Sequence, residues 1–72
     1  MNNTYTFAYC INDRCYLKKI TANSWNNAVG KACQKLEALN DDLDLLGLTD
    51  WEEVVGECEN YGIYVSDLIE IE

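Results

Sequence analysis

Thr49-Asp-Trp-Glu-Glu-Val-Val-Gly-Glu-Cys-Glu-Asn-Tyr-Gly62 places the apolar residues Trp51, Val54, Val55, Cys58 and Tyr61 at i, i+3, i+4, i+7 and i+10, the period of one helical face. The spacing predicts an amphipathic helix. Thr49 followed three residues later by Glu52 has the form of a capping box, and Gly62 stands where a left-handed C-terminal residue is wanted. The opposite face carries Glu52, Glu53, Glu57, Glu59 and Asn60, with no Lys or Arg to pair them. Glu52 and Glu53 suit the positive end of a helix dipole, whereas Glu57 and Glu59 sit toward its negative end, where each costs roughly 0.3–1 kcal/mol at low salt. Stability alone favours lysine at those two positions.

The imbalance extends beyond this helix. Of the 13 acidic residues, all but Asp13 lie at or after Glu37, while all five basic residues (Arg14, Lys18, Lys19, Lys31, Lys35) precede it. Residues 1–36, with five basic and one acidic, sum to +4; residues 37–72, with twelve acidic and no basic, sum to −12. The chain is an electrical dipole of net charge −8. Such a surface disfavours direct contact with nucleic acid or anionic membrane and favours basic partners, including proteins that themselves bind nucleic acid.

Seventy-two residues make one domain, residues 1–72, with little volume for a deep pocket. Its 49% apolar and 25% charged residues are those of a globular chain rather than a disordered one. No apolar run reaches the roughly 18 residues that span a bilayer, and the start Met1-Asn-Asn-Thr4 is unlike a signal peptide. The expected location is the cytoplasm, so the Asn2-Asn3-Thr4 sequon carries no weight.

Upstream, Tyr5-Thr-Phe-Ala-Tyr-Cys-Ile11 and Cys15-Tyr-Leu-Lys-Lys-Ile-Thr21 are rich in β-forming residues and flank a two-residue turn at Asn12-Asp13. In that register Cys10 faces Cys15, Ala8 faces Leu17, Phe7 faces Lys18 and Tyr5 faces Ile20. Tyr5, Phe7, Tyr9, Tyr16 and Ile20 form the core face; Lys18 must snorkel past the sheet edge. Ser24 is a good N-cap for a second helix in which Trp25, Ala28, Val29, Ala32, Cys33, Leu36 and Leu39 keep the helical period to about Asn40. Gly30 in its middle is read as a site of close helix approach.

The acidic linker Asn40-Asp-Asp-Leu-Asp-Leu-Leu-Gly-Leu48 is too short to bury all of Leu43, Leu45, Leu46 and Leu48, so at least one is expected to stay exposed or meet a partner. Beyond Gly62 the chain is extended, with Val65, Asp67, Ile69 and Ile71 on one parity and Leu68–Glu72 read as a strand paired with the first. The expected fold class is α+β, a ββααβ domain with a three-stranded antiparallel sheet and two helices on one face.

No catalytic signature stands out. Histidine is missing, and no nucleophile elbow, phosphate-binding glycine loop or dinucleotide fingerprint is present, so no enzymatic activity is expected. The four cysteines, spaced C-x4-C-x17-C-x24-C, match no zinc pattern, and ordinary thiols are expected, with a cross-strand Cys10–Cys15 disulfide as the alternative. Asp42, Asp44, Gly47, Asp50 and Glu53 occupy positions 1, 3, 6, 9 and 12 of a calcium-loop spacing. Leu46 stands where an oxygen ligand belongs, and Thr49 where an apolar residue is usual. These carboxylates are expected to be a solvated surface that caps the second helix, with a degenerate calcium-binding helix-loop-helix as the minor alternative. No cofactor and no metal is expected.

The crossing Ile20-Thr-Ala-Asn-Ser24 followed by Ala28, the small size and the acidic second half resemble small phage- and mobile-element-encoded inhibitors of bacterial defence, including anti-CRISPR proteins. The resemblance implies a non-enzymatic inhibitor or decoy, acting in the host cytoplasm, that binds a basic defence nuclease or CRISPR surveillance complex and occludes its nucleic-acid or partner surface. Asp41, Asp42, Asp44, Glu52, Glu53, Glu57 and Glu59 are the partner-binding candidates, since spaced carboxylates can occupy arginine and lysine sites that otherwise hold a phosphate backbone. The alternatives are a merely solvated acidic face, or an adaptor pairing through a strand edge or the leucine-rich linker. Self-association is left open.

Overall fold

The structure, a computed structural model, describes residues 2–71; Met1 and Glu72, the first residue of the polar start and the last of the acidic half, lie outside them. Two nine-residue strands, β1 (Asn3–Ile11) and β2 (Arg14–Ala22), form the hairpin in the expected register, with Tyr5 opposite Ile20, Phe7 opposite Lys18 and Cys10 opposite Cys15. Asn12 and Asp13 take φ of 54° and 65°. A two-residue turn that follows the right-handed twist of the strands needs positive φ at both positions, and Asn and Asp tolerate it best after glycine.

One expectation about the hairpin needs correction. Cys10 and Cys15 are joined by a disulfide, whereas free thiols are the prior for an intracellular chain. They sit one pair in from the turn, with Cα atoms 4.0 Å apart, in the close, non-hydrogen-bonded type of antiparallel pair. Register brings the two sulfurs together without any other rearrangement.

The inward face of the hairpin carries Tyr5, Phe7, Tyr9, Ile20 and Ala22, all buried. Tyr16 belongs to that face but lies at its rim, 42% exposed and tilted against Tyr9. Helix α1 (Trp25–Glu37) covers this face through Ala28, Val29, Ala32, Cys33 and Leu36. Its start is fixed by Ser24, whose hydroxyl accepts from the Asn27 N–H at 3.2 Å. It ends at Glu37 rather than near Asn40, because Leu39 N–H and Asn40 N–H turn back to Leu36 and Glu37 in tighter i→i−3 bonds. Gly30 is not a close-approach site: a Cβ built there meets nothing within 4 Å.

Helix α2 (Trp51–Glu59) packs beside α1 through Trp51, Val54 and Cys58. Its N-cap is Asp50, not Thr49; the Asp50 carboxylate accepts from the Glu52 N–H at 3.0 Å. A carboxylate answers both the free N–H groups and the positive helix end, which a threonine hydroxyl does less well. Gly62, at φ 77°, closes the far end: Ile63 N–H reaches Cys58 O and Gly62 N–H reaches Glu59 O, each at 3.0 Å. This is the Schellman pattern, and its usual apolar contact is supplied by fully buried Ile63 and Cys58. Tyr61, assigned to the apolar helix face by its spacing, lies past the helix end and is 41% exposed.

The class is α+β as expected, with one amendment to the sheet. The edge on the far side of β1 from β2 consists of two short pieces, β3 (Tyr64–Val65) and β4 (Ile69–Glu70), both antiparallel to β1. Tyr9 pairs with Val65 and Thr6 with Ile69, so three steps along β1 face four along the edge, which is a bulge. Ser66 occupies it: its N–H donates to Ala8 O, and its hydroxyl accepts from Ala8 N–H, both at 2.8 Å. The extra residue breaks the parity expected for this segment. Val65 leans inward and Leu68 enters the core, while Ile69 and Ile71 are 54% and 47% exposed.

Candidate partner-binding face

All seven candidate carboxylates are exposed. Two elements carry them: Asp41, Asp42 and Asp44 lie on the linker between the helices, and Glu52, Glu53, Glu57 and Glu59 on α2. The linker folds around its leucines. Leu43 and Leu45 enter the core, Leu48 packs against it, and Leu46 is left 89% exposed. This exclusion turns the intervening aspartates outward. The loop is held by Glu37, whose carboxylate accepts from the Leu45 N–H at 3.0 Å, and by Asp44, whose carboxylate accepts from the Leu46 N–H at 3.0 Å. Asp44 is therefore partly committed to its own backbone, whereas Asp41 and Asp42 project without a side-chain partner among the described hydrogen bonds.

On α2 the geometry follows from about 100° of rotation per residue. Val54 and Cys58 centre the buried side. Glu53 and Glu57 form one row on the outer side, Glu52 and Glu59 a second, and Gly56 lies between them with open space above it. Counting Asp50, five carboxylates fall within ten residues. At about 1.5 Å of rise per residue that is roughly one charge per 3 Å of axis, close to the ~3.4 Å per phosphate along one strand of B-DNA. The rows are separated across the helix rather than merged into one stripe.

No Lys or Arg donates to any of these carboxylates among the described hydrogen bonds; Lys31 instead donates to the Thr21 carbonyl at 2.6 Å. Nor do the carboxylates converge. Among the described residues no three His, Cys, Asp or Glu side chains are grouped as metal ligands, and Leu46, where the calcium-like spacing calls for an oxygen ligand, points to solvent, 89% exposed.

The thiols of Cys33 and Cys58 face each other's helix in the core. Burial pushes both up from 9.0 to about 11, with Glu37 adding to the effect at Cys33, and Cys33 and Glu57 adding to it at Cys58. Burial thus disfavours the thiolate form of both at neutral pH.

The surface brings Glu52 and Asp50 together with Trp25, Asp67 and Glu70, to which the sequence assigned no role in a site. An open groove of about 800 Å³ lies where the start of α1, the start of α2 and the β4 edge meet, lined by Trp25, Asp50, Glu52, Asp67, Ile69 and Glu70 among others. Trp25, Asp67 and Glu70 belong to segments up to 45 positions apart, and no local pattern links them. The one available signal was the position of Trp25 directly after the N-cap of α1, a place where a large aromatic side chain is only partly covered; it is 43% exposed.

No family model, no curated protein and no solved structure matches the chain. No helix among the described residues is long and apolar enough to cross a membrane.

Proposed function

We propose that this domain is a non-enzymatic inhibitor or decoy whose acidic face binds a basic, nucleic-acid-handling protein and blocks access of nucleic acid to it. The observation that carries the proposal is the density of solvent-exposed, unpaired carboxylates on a rigid helix, at roughly the axial charge spacing of a phosphate strand. Two further features support it. Glu57 and Glu59 are held at the unfavourable end of α2 with no basic residue in its last turn. Burial disfavours the thiolate form of the core cysteines, and histidine, the commonest general base, is missing. A defence nuclease or a CRISPR surveillance complex is the class of partner that such a surface fits, in the cytoplasm of the host cell.

The test is association with a basic nucleic-acid-binding partner recovered from host lysate, measured across salt concentration. Electrostatic capture slows association steeply as ionic strength rises, and Glu52→Lys with Glu53→Lys reproduces that loss at low salt. Affinity indifferent to both changes removes the mimicry proposal.

A second function is favoured by one specific observation, the 89% exposure of Leu46 on a loop whose other leucines are packed. An adaptor that docks through Leu46 binds with little salt dependence, and Leu46→Ser abolishes that binding; docking through the open edge of β2 is equally salt-tolerant but survives the substitution.

A further inference from the structure

The groove between α1, α2 and the β4 edge is the feature of the surface least explained by folding. Its carboxylates come from two places: Asp50 and Glu52 at the start of α2, and Asp67 and Glu70 on the interrupted edge strand. Asp50 caps the helix, and Glu52 suits its positive end. Asp67 and Glu70 have no such role. Their carboxylates accept no hydrogen bond among those of the described residues, and no Lys or Arg lines the groove. A cation supplied from outside therefore meets several carboxylates and no competing Lys or Arg in this groove.

The walls narrow the kind of cation. Trp25 is 43% exposed, with its ring held against Tyr5 in an edge-to-face contact at 6.1 Å. That packing fixes the indole and leaves part of it open to solvent. The neighbouring Trp51 indole spends its N–H on the Ser66 carbonyl and offers only apolar surface, as does Ile69, 54% exposed. A fixed aromatic surface beside several carboxylates matches a flat cation that can stack on a ring and donate in the plane to oxygens. A guanidinium does both; an ammonium, compact and strongly hydrated, does so less well.

We propose that this groove takes the guanidinium side chain of an arginine on the basic partner, stacked on Trp25 and paired with Asp67, Glu70 and Glu52. The assignment rests on the acidic-decoy function above and specifies it: the carboxylate rows of α2 supply long-range attraction, and the groove supplies the directional contact.

The test uses the full chain, isotope-labelled, titrated to millimolar concentration with the blocked tripeptide Gly-Arg-Gly and its lysine and citrulline counterparts. The expected result is a saturable shift of the Trp25 indole N–H and of the Asp67–Glu70 amides with the arginine peptide. Binding is about three-fold or more weaker for lysine and lost for uncharged citrulline. Trp25→Leu weakens the arginine peptide and removes its preference over lysine, while Asp67→Asn with Glu70→Gln abolishes the shifts. The amide spectrum away from the groove confirms that each variant is folded. Shifts confined to the outer face of α2, or equal binding of arginine and lysine peptides, overturn the groove assignment and leave the decoy function standing. Partner binding that ignores salt overturns the decoy function, and the peptide titration remains readable by itself.

Discussion

The indole Nε1–H of Trp51 donates to the backbone carbonyl of Ser66 at 2.8 Å, tying the first residue of α2 to the bulge that breaks the sheet edge. The same Trp51 ring stands edge-on to Phe7 at 5.5 Å, and the Ser66 hydroxyl accepts from Ala8 N–H. Helix, edge and central strand therefore meet at Trp51 and Ser66. Trp51→Phe leaves the Ser66 carbonyl without its donor and removes part of the ring, at a cost of about 1–3 kcal/mol. Urea unfolding followed by far-UV circular dichroism measures it. Ser66→Ala removes the acceptor of the Ala8 N–H at an exposed site that water can reach, and is expected to destabilise by about 0.5–1.5 kcal/mol.

The glycines divide by backbone conformation. Gly30 and Gly56 are helical and a Cβ there meets nothing, whereas Gly62 sits at φ 77°. Gly30→Ala and Gly56→Ala should each stabilise by up to about 1 kcal/mol. For a domain of this size that raises the melting temperature by roughly 4–8 °C per kcal/mol. Gly62→Ala should lower it, because a left-handed alanine costs roughly 1–2 kcal/mol.

What was legible beforehand tracks how local each determinant is. The hairpin register, the Asn12-Asp13 turn, the Ser24 cap and the Gly62 stop are each specified by a few adjacent residues, and all four stand as expected. The bulge at Ser66 was not read: Asp67 on the parity of Val65, Ile69 and Ile71, and Leu68 off it, interrupt the alternation, but only the Ala8 and Trp51 partners, distant in sequence, locate the break. Asp50 and Thr49 compete for one cap, and the stronger acceptor won. The acidic rows of α2 could be read from spacing. The Trp25 groove could not, because three elements must fold before Trp25 and the carboxylates of α2 and the sheet edge become neighbours.

Stability should fall at alkaline pH. Cys33 and Cys58 titrate near 11 when folded against 9.0 as the ordinary thiol value. Above pH 9 the unfolded chain gives up protons that the folded chain keeps, so the contribution is fully present below 9 and is lost as pH rises from 9 toward 11. Urea midpoints measured from pH 8 to 11 should decline, and the decline should be shallower in a Cys33→Ala, Cys58→Ala variant, which retains the tyrosines. Parallel declines in the two proteins contradict the assignment.

The Cys10–Cys15 disulfide closes a short loop, with a sequence separation of 5. Loop-closure entropy for so few residues amounts to about 2 kcal/mol, and the hairpin register is already set by the turn. Reduction, or Cys10→Ser with Cys15→Ser, is therefore expected to lower the unfolding free energy by about 2 kcal/mol or less and leave the fold intact. Loss of the β-sheet signal on reduction contradicts this.

Glu57 and Glu59 separate what the fold wants from what the surface is for. Both are exposed near the negative end of α2, where no basic residue stands in the last turn. Glu57→Lys with Glu59→Lys should stabilise the free domain by roughly 0.3–1 kcal/mol per site at low salt, a gain that shrinks as added salt screens the dipole. If these carboxylates act on a cationic partner, the same variant must bind it more weakly and with a flatter dependence on ionic strength. Greater stability with weaker binding is the joint outcome that a recognition surface requires; greater stability with unchanged binding assigns the outer face of α2 to solvation alone.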